Sequence, residues 1–210
     1  MYIPELYKND DQEEIREFLK ANAFGILVSQ QNGRSLATHI PLELITEDGT
    51  DLLHAHISKE NPQWHNFEDG MEVLCIFQGP HSYISSSWYD FPEVPTWNYT
   101  AVHVYGTLRM IKGKRLYERV RMLVDKYEAA SACPVVMDEL PKEVLRQMQG
   151  IVGFEIDITE IHAAKKMSQN RDDHNLKNIV EQLHQSGDPM RQQVAETMKE
   201  TRKQNKKKEF

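Results

Sequence analysis

Apolar positions recur along this chain in two rhythms, one of about 3.6 residues and one of two, and the exchange between them predicts most of its elements. Residues 10–22, "DDQEEIREFLKAN", put Ile15, Phe18 and Leu19 on one helical face. Asp10 or Asp11 can cap that helix, and its first turn is acidic. "AFGILVSQ" follows as a strand and turns through Asn32-Gly33, a pair suited to a two-residue hairpin. A third segment, "SLATHIPLELI", reads as one strand and turns through Asp48-Gly49 into "DLLHAHIS". Together these predict an antiparallel meander.

A short helix over "NPQWHNF" separates them from two more strands, "MEVLCIFQG" and "HSYISSSWY". Residues 90–97, "DFPEVPTW", form a proline-punctuated loop before the long strand "NYTAVHVYGTLRMI". Leu116, Val120, Leu123, Val124 and Tyr127 then recur at helical spacing between Lys114 and Tyr127. Residues 129–140 are irregular, and "PKEVLRQM" begins another helix with proline at its start. "IVGFEIDITEIH" alternates at Phe154, Ile156 and Ile158. Leu176, Ile179, Val180 and Leu183 mark a further helix, and Asp188-Pro189 opens the last one, ending in "KQNKKKEF". The expected class is α+β and mainly antiparallel β: a small barrel with peripheral helices, over residues 1–165, followed by a helical C-terminal extension over 166–210.

Composition narrows the class of protein. With 40% hydrophobic and 27% charged residues among 210, the chain has the make-up of one globular core and not of a disordered segment. No apolar run approaches the roughly 20 residues needed to span a bilayer, and the first residues lack the pattern of a secretory signal, so a cytoplasmic protein with no membrane partner is expected. Two cysteines, Cys75 and Cys133, make no disulfide framework. The net charge of −7 argues against a protein that coats nucleic acid, although residues 191–210 carry +4 and the remainder −11.

Candidate chemistry concentrates in "HAHISKENPQWHNF", residues 54–67. Strand alternation sends Leu53, Ala55 and Ile57 to one face and His54, His56 and Ser58 to the other. Asn61 is a good N-cap and Pro62 suits the first helical position. Ser58 and Lys59 therefore lie beside the N–H groups of a helix start, an arrangement that can hold a phosphate. A capped surface turn with an ordinary lysine accounts for the same residues. A zinc site needs three or four ligands, and no Cys or carboxylate completes His39, His54 and His56, so no metal is assigned. "SYISSSWY" lacks the glycine-flanked elbow of a serine hydrolase and fits a polar cavity or a subunit interface better. The terminal lysines can meet DNA phosphates in a salt-dependent way, but as bare sequence they read as a solvated, mobile end. No helix-turn-helix, zinc-finger or basic-zipper pattern is evident.

The order strand, Ser-Lys, helix resembles the phosphate end of flavin-binding split barrels such as pyridoxamine-phosphate oxidase. "MYIPELYKNDD", "THIPLEL", "HISKENPQW", "GPHSYISSSWY", "VPTWNYTAVHVYG", "IVGFEIDI" and "KMSQNR", in that order over about residues 1 to 185, closely resemble the PaiB family. That resemblance implies an FMN-binding split β-barrel and a negative transcriptional regulator that represses protease production and sporulation. The alternative is a flavin-dependent oxidoreductase or detoxifying enzyme of the same fold. It also implies FMN with its phosphate near Ser58, Lys59 and Asn61, and Thr38, His39, His56 and Trp64 close by. It further implies a homodimer in which Trp97, Asn98 and Tyr99 come from the second copy. Gln169, Asn170 and Arg171 of "KMSQNR" are additional candidates for reaching the ligand.

Overall fold

A computed structural model describes residues 1–208; Glu209 and Phe210, at the end of the basic tail, lie outside the described residues. Among the described residues seven strands form one sheet: β1 Phe24–Gln31, β2 Arg34–Pro41, β3 Glu43–Glu47, β4 Thr50–Ser58, β5 Glu72–Ile84, β6 Thr96–Ile111 and β7 Ile151–Lys166. Their order is β2-β1-β5-β6-β7-β4-β3. The α-helices are α1 Gln12–Ala21, α2 Gly113–Glu128, α3 Lys142–Leu145, α4 Asp173–Gln185 and α5 Pro189–Lys208.

Both hairpin turns form where the sequence places them. Asn32 and Gly33 adopt φ of 50° and 77°, and Asp48 and Gly49 adopt 50° and 79°, the left-handed pair that a tight hairpin requires. The meander between them does not form. Residues 35–45, expected as one strand, divide at Pro41, which has no N–H with which to extend a ladder. Leu42, wholly buried, donates its N–H to Ala23 O at 2.8 Å. β2 pairs with β1 and β3 pairs with β4, so the two hairpins stand at opposite ends of the strand order. The two segments expected on either side of Gly79-Pro80 join into the single strand β5, which ends at Ile84, and Ser86–Trp88 then form a 3-10 turn.

The chain separates into two units. One comprises residues 1–15, 78–102 and 162 onward; the other comprises 16–77 and 103–161. In the first, α4 and α5 bury Leu176, Ile179, Leu183, Val194 and Met198 with Ile84, Tyr89 and Met167. In the described part of the basic end, α5 continues to Lys208, Thr201 is buried, and Arg202 and Lys206 both bond Asp173 at 2.8 Å, so the stretch up to Lys206 is held as helix. In the second unit Leu27, Leu53, Phe77, Leu108, Phe154 and Ile156 are wholly buried, each stabilising the fold by about 1.5–3 kcal/mol.

β7 departs from simple alternation, because Glu155 is as buried as Phe154 and Ile156. Its carboxylate accepts from Arg119 Nε at 2.6 Å and Arg115 Nε at 2.8 Å, and pairs with Arg109 Nη1 at 2.8 Å. Glu47 on β3 pairs with Arg115 at 2.5 Å and Arg119 at 3.0 Å. These bonds fasten α2 to β3 and β7 and thereby fix where α2 begins.

Candidate functional site: a lysine-flanked cavity at the start of α2

β4 ends at Ser58, and the chain then turns sharply. Lys59 N–H donates to Gly150 O at 2.9 Å, and Ser58 Oγ accepts from Glu60 N–H at 3.2 Å. Asn61 caps the next turn, its Oδ1 accepting from Gln63 N–H at 2.9 Å. The expected helix is a five-residue 3-10 turn, Pro62–Asn66, and Asn61 Oδ1 takes the Gln63 N–H, one of the helix-start donors that the phosphate reading of this corner left free. Thr38 and Asn61 are occupied with each other. Asn61 Nδ2 donates to Thr38 Oγ1 at 2.9 Å, and Thr38 Oγ1 donates to Gln63 Oε1 at 2.5 Å. Gln63, buried, then donates to Ser29 Oγ at 3.0 Å. This chain of bonds pins the turn to β1 and β2.

Once pinned, the turn presents Lys59 and Trp64 to a cavity of about 370 Å³. Trp64 is held by its Nε1–H donating to Lys59 O at 2.7 Å and by an edge contact with His65, centroids 4.6 Å apart. The opposite wall is the start of α2, with Lys112, Gly113 and Leu116. Met110 and Met148 add flexible apolar surface, and Val152 and Gly153 contribute from β7. Gly153 has a steric reason: a Cβ there would stand 2.3 Å from Leu116 Cδ1, so only glycine lets Leu116 seat against the strand.

The electrostatics of this pocket favour an anion. Its described lining contains two lysines and no carboxylate, and among the described residues neither lysine is ion-paired. α2 runs for 16 residues, has no side-chain cap at Lys112 and no acidic residue in its first turn. In the opening Lys-Gly-Lys-Arg, Lys114 and Arg115 already pair with carboxylates, whereas Lys112 sets an uncompensated charge against the helix's positive end, and an anion there offsets both. Sequence reading missed Lys112 and Gly113; that charge pattern was the available signal.

The other expected residues lie elsewhere. His39 is exposed and stacks on Phe24, centroids 6.3 Å apart. His56 is half-buried opposite Gly153 in the β4–β7 register, and burial lowers its pKa. Trp97, Asn98 and Tyr99 belong to the first unit. Trp97 is 53% exposed, with His81 stacked at 6.1 Å and Tyr83 edge-on at 6.2 Å. Asn98 cannot serve as a contact to a second copy, because its side chain is wholly buried, accepting from Ser168 Oγ at 3.0 Å and donating to Met198 Sδ at 3.4 Å.

The "KMSQNR" segment is likewise structural. Gln169 bonds the backbone of Lys165 and Met167. Arg171 lies over Tyr89 at 4.9 Å and Phe91 at 5.7 Å and pairs with Glu93 at 2.7 Å. Serines of "SYISSSWY" serve a turn as well, with Ser85 Oγ accepting from Ser87 N–H at 3.2 Å. Among the described residues no three His, Cys, Asp or Glu side chains converge as for a metal, and no helix is long and apolar enough to cross a membrane.

A family model described as "Putative FMN-binding domain" matches residues 1–160. The chain is 43% identical to the protease synthase and sporulation protein PAI 2 of Bacillus subtilis, across 95% of this chain and 97% of that one. This chain belongs to the PaiB family. The PaiB-family chain also resembles two solved structures at the level of fold. One is the FAD and heme binding protein of Mycobacterium smegmatis, with a TM-score of 0.56 and 13% identity over 76% of this chain and 73% of that one. The other is a flavocytochrome of Azotobacter vinelandii, with a TM-score of 0.56 and 15% identity over 79% and 72%. The fold class is the α+β split barrel with peripheral helices and a helical C-terminal extension.

Proposed function

We propose that this PaiB-family protein is a negative transcriptional regulator that binds FMN and represses protease production and sporulation, acting as a cytoplasmic homodimer. One observation carries the cofactor reading: a cavity of about 370 Å³ joins two lysines and the start of a long helix to an apolar wall. Its volume lies within the roughly 300–1,000 Å³ typical of small-molecule sites. Lys59 and Lys112 hold the phosphate, and Trp64, Met110 and Leu116 lie along the flavin. Bound FMN supplies a two-electron redox centre. The chain's own residues orient it and exclude water from its apolar face. The lining carries neither carboxylate nor imidazole among the described residues, which favours a sensing role over an acid–base enzyme. Trp97 and Tyr83, both exposed, are the aromatic surface assigned to the second copy.

Titration of the protein with FMN, followed by visible absorption and flavin fluorescence, tests the site. Riboflavin, which lacks the phosphate, is the control ligand. Lys59→Ala and Lys112→Ala should each weaken FMN about tenfold and leave riboflavin unchanged. Equal FMN affinity in both variants overturns the phosphate assignment. A salt-titrated gel-shift with protease-gene promoter DNA, with and without FMN, tests the regulatory half; absence of a specific complex removes direct DNA reading.

A further inference from the structure

A second cavity, of about 280 Å³, opens in the same unit between β3, β4 and α2 and shares no residue with the first. Glu43 and His54 face each other across the β3–β4 register and both line it. Each is deeply buried, 5% and 4% exposed. Glu43 Oε2 accepts from Lys126 Nζ at 2.6 Å, and Oε1 accepts from Tyr127 Oη–H at 2.8 Å. A carboxylate has about four lone-pair sites, so each oxygen can accept once more. Lys126 Nζ also donates to Lys20 O at 3.1 Å, which leaves the last of its three donors. His54 has no hydrogen-bond partner among the described residues. Leu44, Ile45 and Met122 give the lining its apolar surface, and Lys20 of α1, whose ammonium pairs with Glu17 at 2.9 Å, completes it.

The cavity thus offers a buried negative acceptor, an unpartnered imidazole, an ammonium and an apolar wall within one small volume. We infer that it binds a zwitterion, an α-amino acid with an apolar side chain: its ammonium on Glu43 and His54, its carboxylate on Lys126, its side chain along Leu44, Ile45 and Met122. A simple cation would leave Lys126 facing it, and a simple anion would meet Glu43. A ligand carrying both charges satisfies each. Desolvation holds His54 down to about pKa 4, so the ring is neutral at pH 7 and able to accept from the ligand ammonium. Burial first, then the Glu43 carboxylate, push Tyr127 up to about 12, which keeps its hydroxyl a donor to Glu43. Binding here does not depend on flavin in the first cavity.

Titration calorimetry of the full chain with L-leucine, L-leucinamide and isocaproate tests it. The amide lacks the carboxylate and the acid lacks the ammonium. Leucine should bind saturably, and each analogue about tenfold or more weakly. Lys126→Met should weaken leucine and isocaproate while leaving leucinamide unchanged. Glu43→Gln should weaken leucine and leucinamide and leave isocaproate unchanged. Glu43 is buried and its variant can fail to fold; Lys126 is half-exposed, so Lys126→Met together with the wild-type analogue series then decides. No saturable binding of millimolar leucine, or both analogues matching leucine, or Lys126→Met binding leucine as the wild type does, overturns the assignment.

Discussion

Glu155→Gln is the sharpest test of how α2, and with it the first cavity, is held. The substitution keeps shape and one carbonyl acceptor but removes the buried negative charge that Arg119 Nε meets at 2.6 Å. Arg119 is 8% exposed at its side chain and cannot turn out to water. Breaking one side of a buried pair costs about 3–5 kcal/mol. Here the low end applies, about 3 kcal/mol, because Glu47 still neutralises Arg119 and Arg115. Arg109 and Arg115 are about 40% exposed, so their share is screened by solvent and adds little. With a urea slope of roughly 2–3 kcal/mol per molar, the unfolding midpoint should fall by roughly 1–1.5 M. The slope itself should stay constant, which the same circular-dichroism titration reports. Replacing both partners, as Glu155→Leu with Arg119→Met, should recover much of the loss, since an apolar pair carries no buried charge. A midpoint shift below about 0.3 M for Glu155→Gln would show that the network is not what anchors the helix.

Protonation gives a second handle. The folded-state pKa of His54 is depressed from 6.5 to about 4, so its contribution to stability is complete above pH 6.5 and is lost as pH falls toward 4. The loss is about 3 kcal/mol, and His54→Gln should flatten the stability–pH curve over that window; an unchanged slope refutes the assignment. Glu155 is also depressed, desolvation raising it but the Arg115 and Arg119 hydrogen bonds outweighing this, so its share is lost only as pH drops below the ordinary glutamate range. Gly153→Ala should displace Leu116, whose Cδ1 would be 2.3 Å from the new Cβ, costing about 1–3 kcal/mol and narrowing the first cavity; a drop in FMN uptake with unaltered riboflavin uptake would contradict this. Asn61→Ala removes both the cap to Gln63 and the bond to Thr38 and should cost about 1–2 kcal/mol by thermal unfolding.

What could be read from sequence was local. Asn32-Gly33 and Asp48-Gly49 declare themselves because only a few residue types tolerate positive φ, and Leu176, Ile179 and Leu183 declare α4 by spacing alone. The separation of β2 from β3 was not legible, because it depends on which distant strands each one joins. Nor was the burial of Glu155, whose surroundings are supplied by arginines 36 to 46 residues earlier in the chain. The site was half legible. Lys59 and Trp64 stood out beside a proline turn, whereas Lys112 and Gly113 become their neighbours only when α2 docks on β7.

The segment from Met167 to Arg171 has a practical bearing on sorting this family's members. Ser168 sits at a φ of 57°, Gln169 clasps its own backbone, and Arg171 is sandwiched with Glu93 and two aromatic rings. On the phosphate site proposed above, a cousin that keeps this motif while replacing Lys112 would lack the anion grip, and a cousin with the opposite pattern would keep the grip without the motif. Ligand competence among such proteins is better scored at the lysine-glycine entry to α2 than at the most recognisable string near the C-terminus.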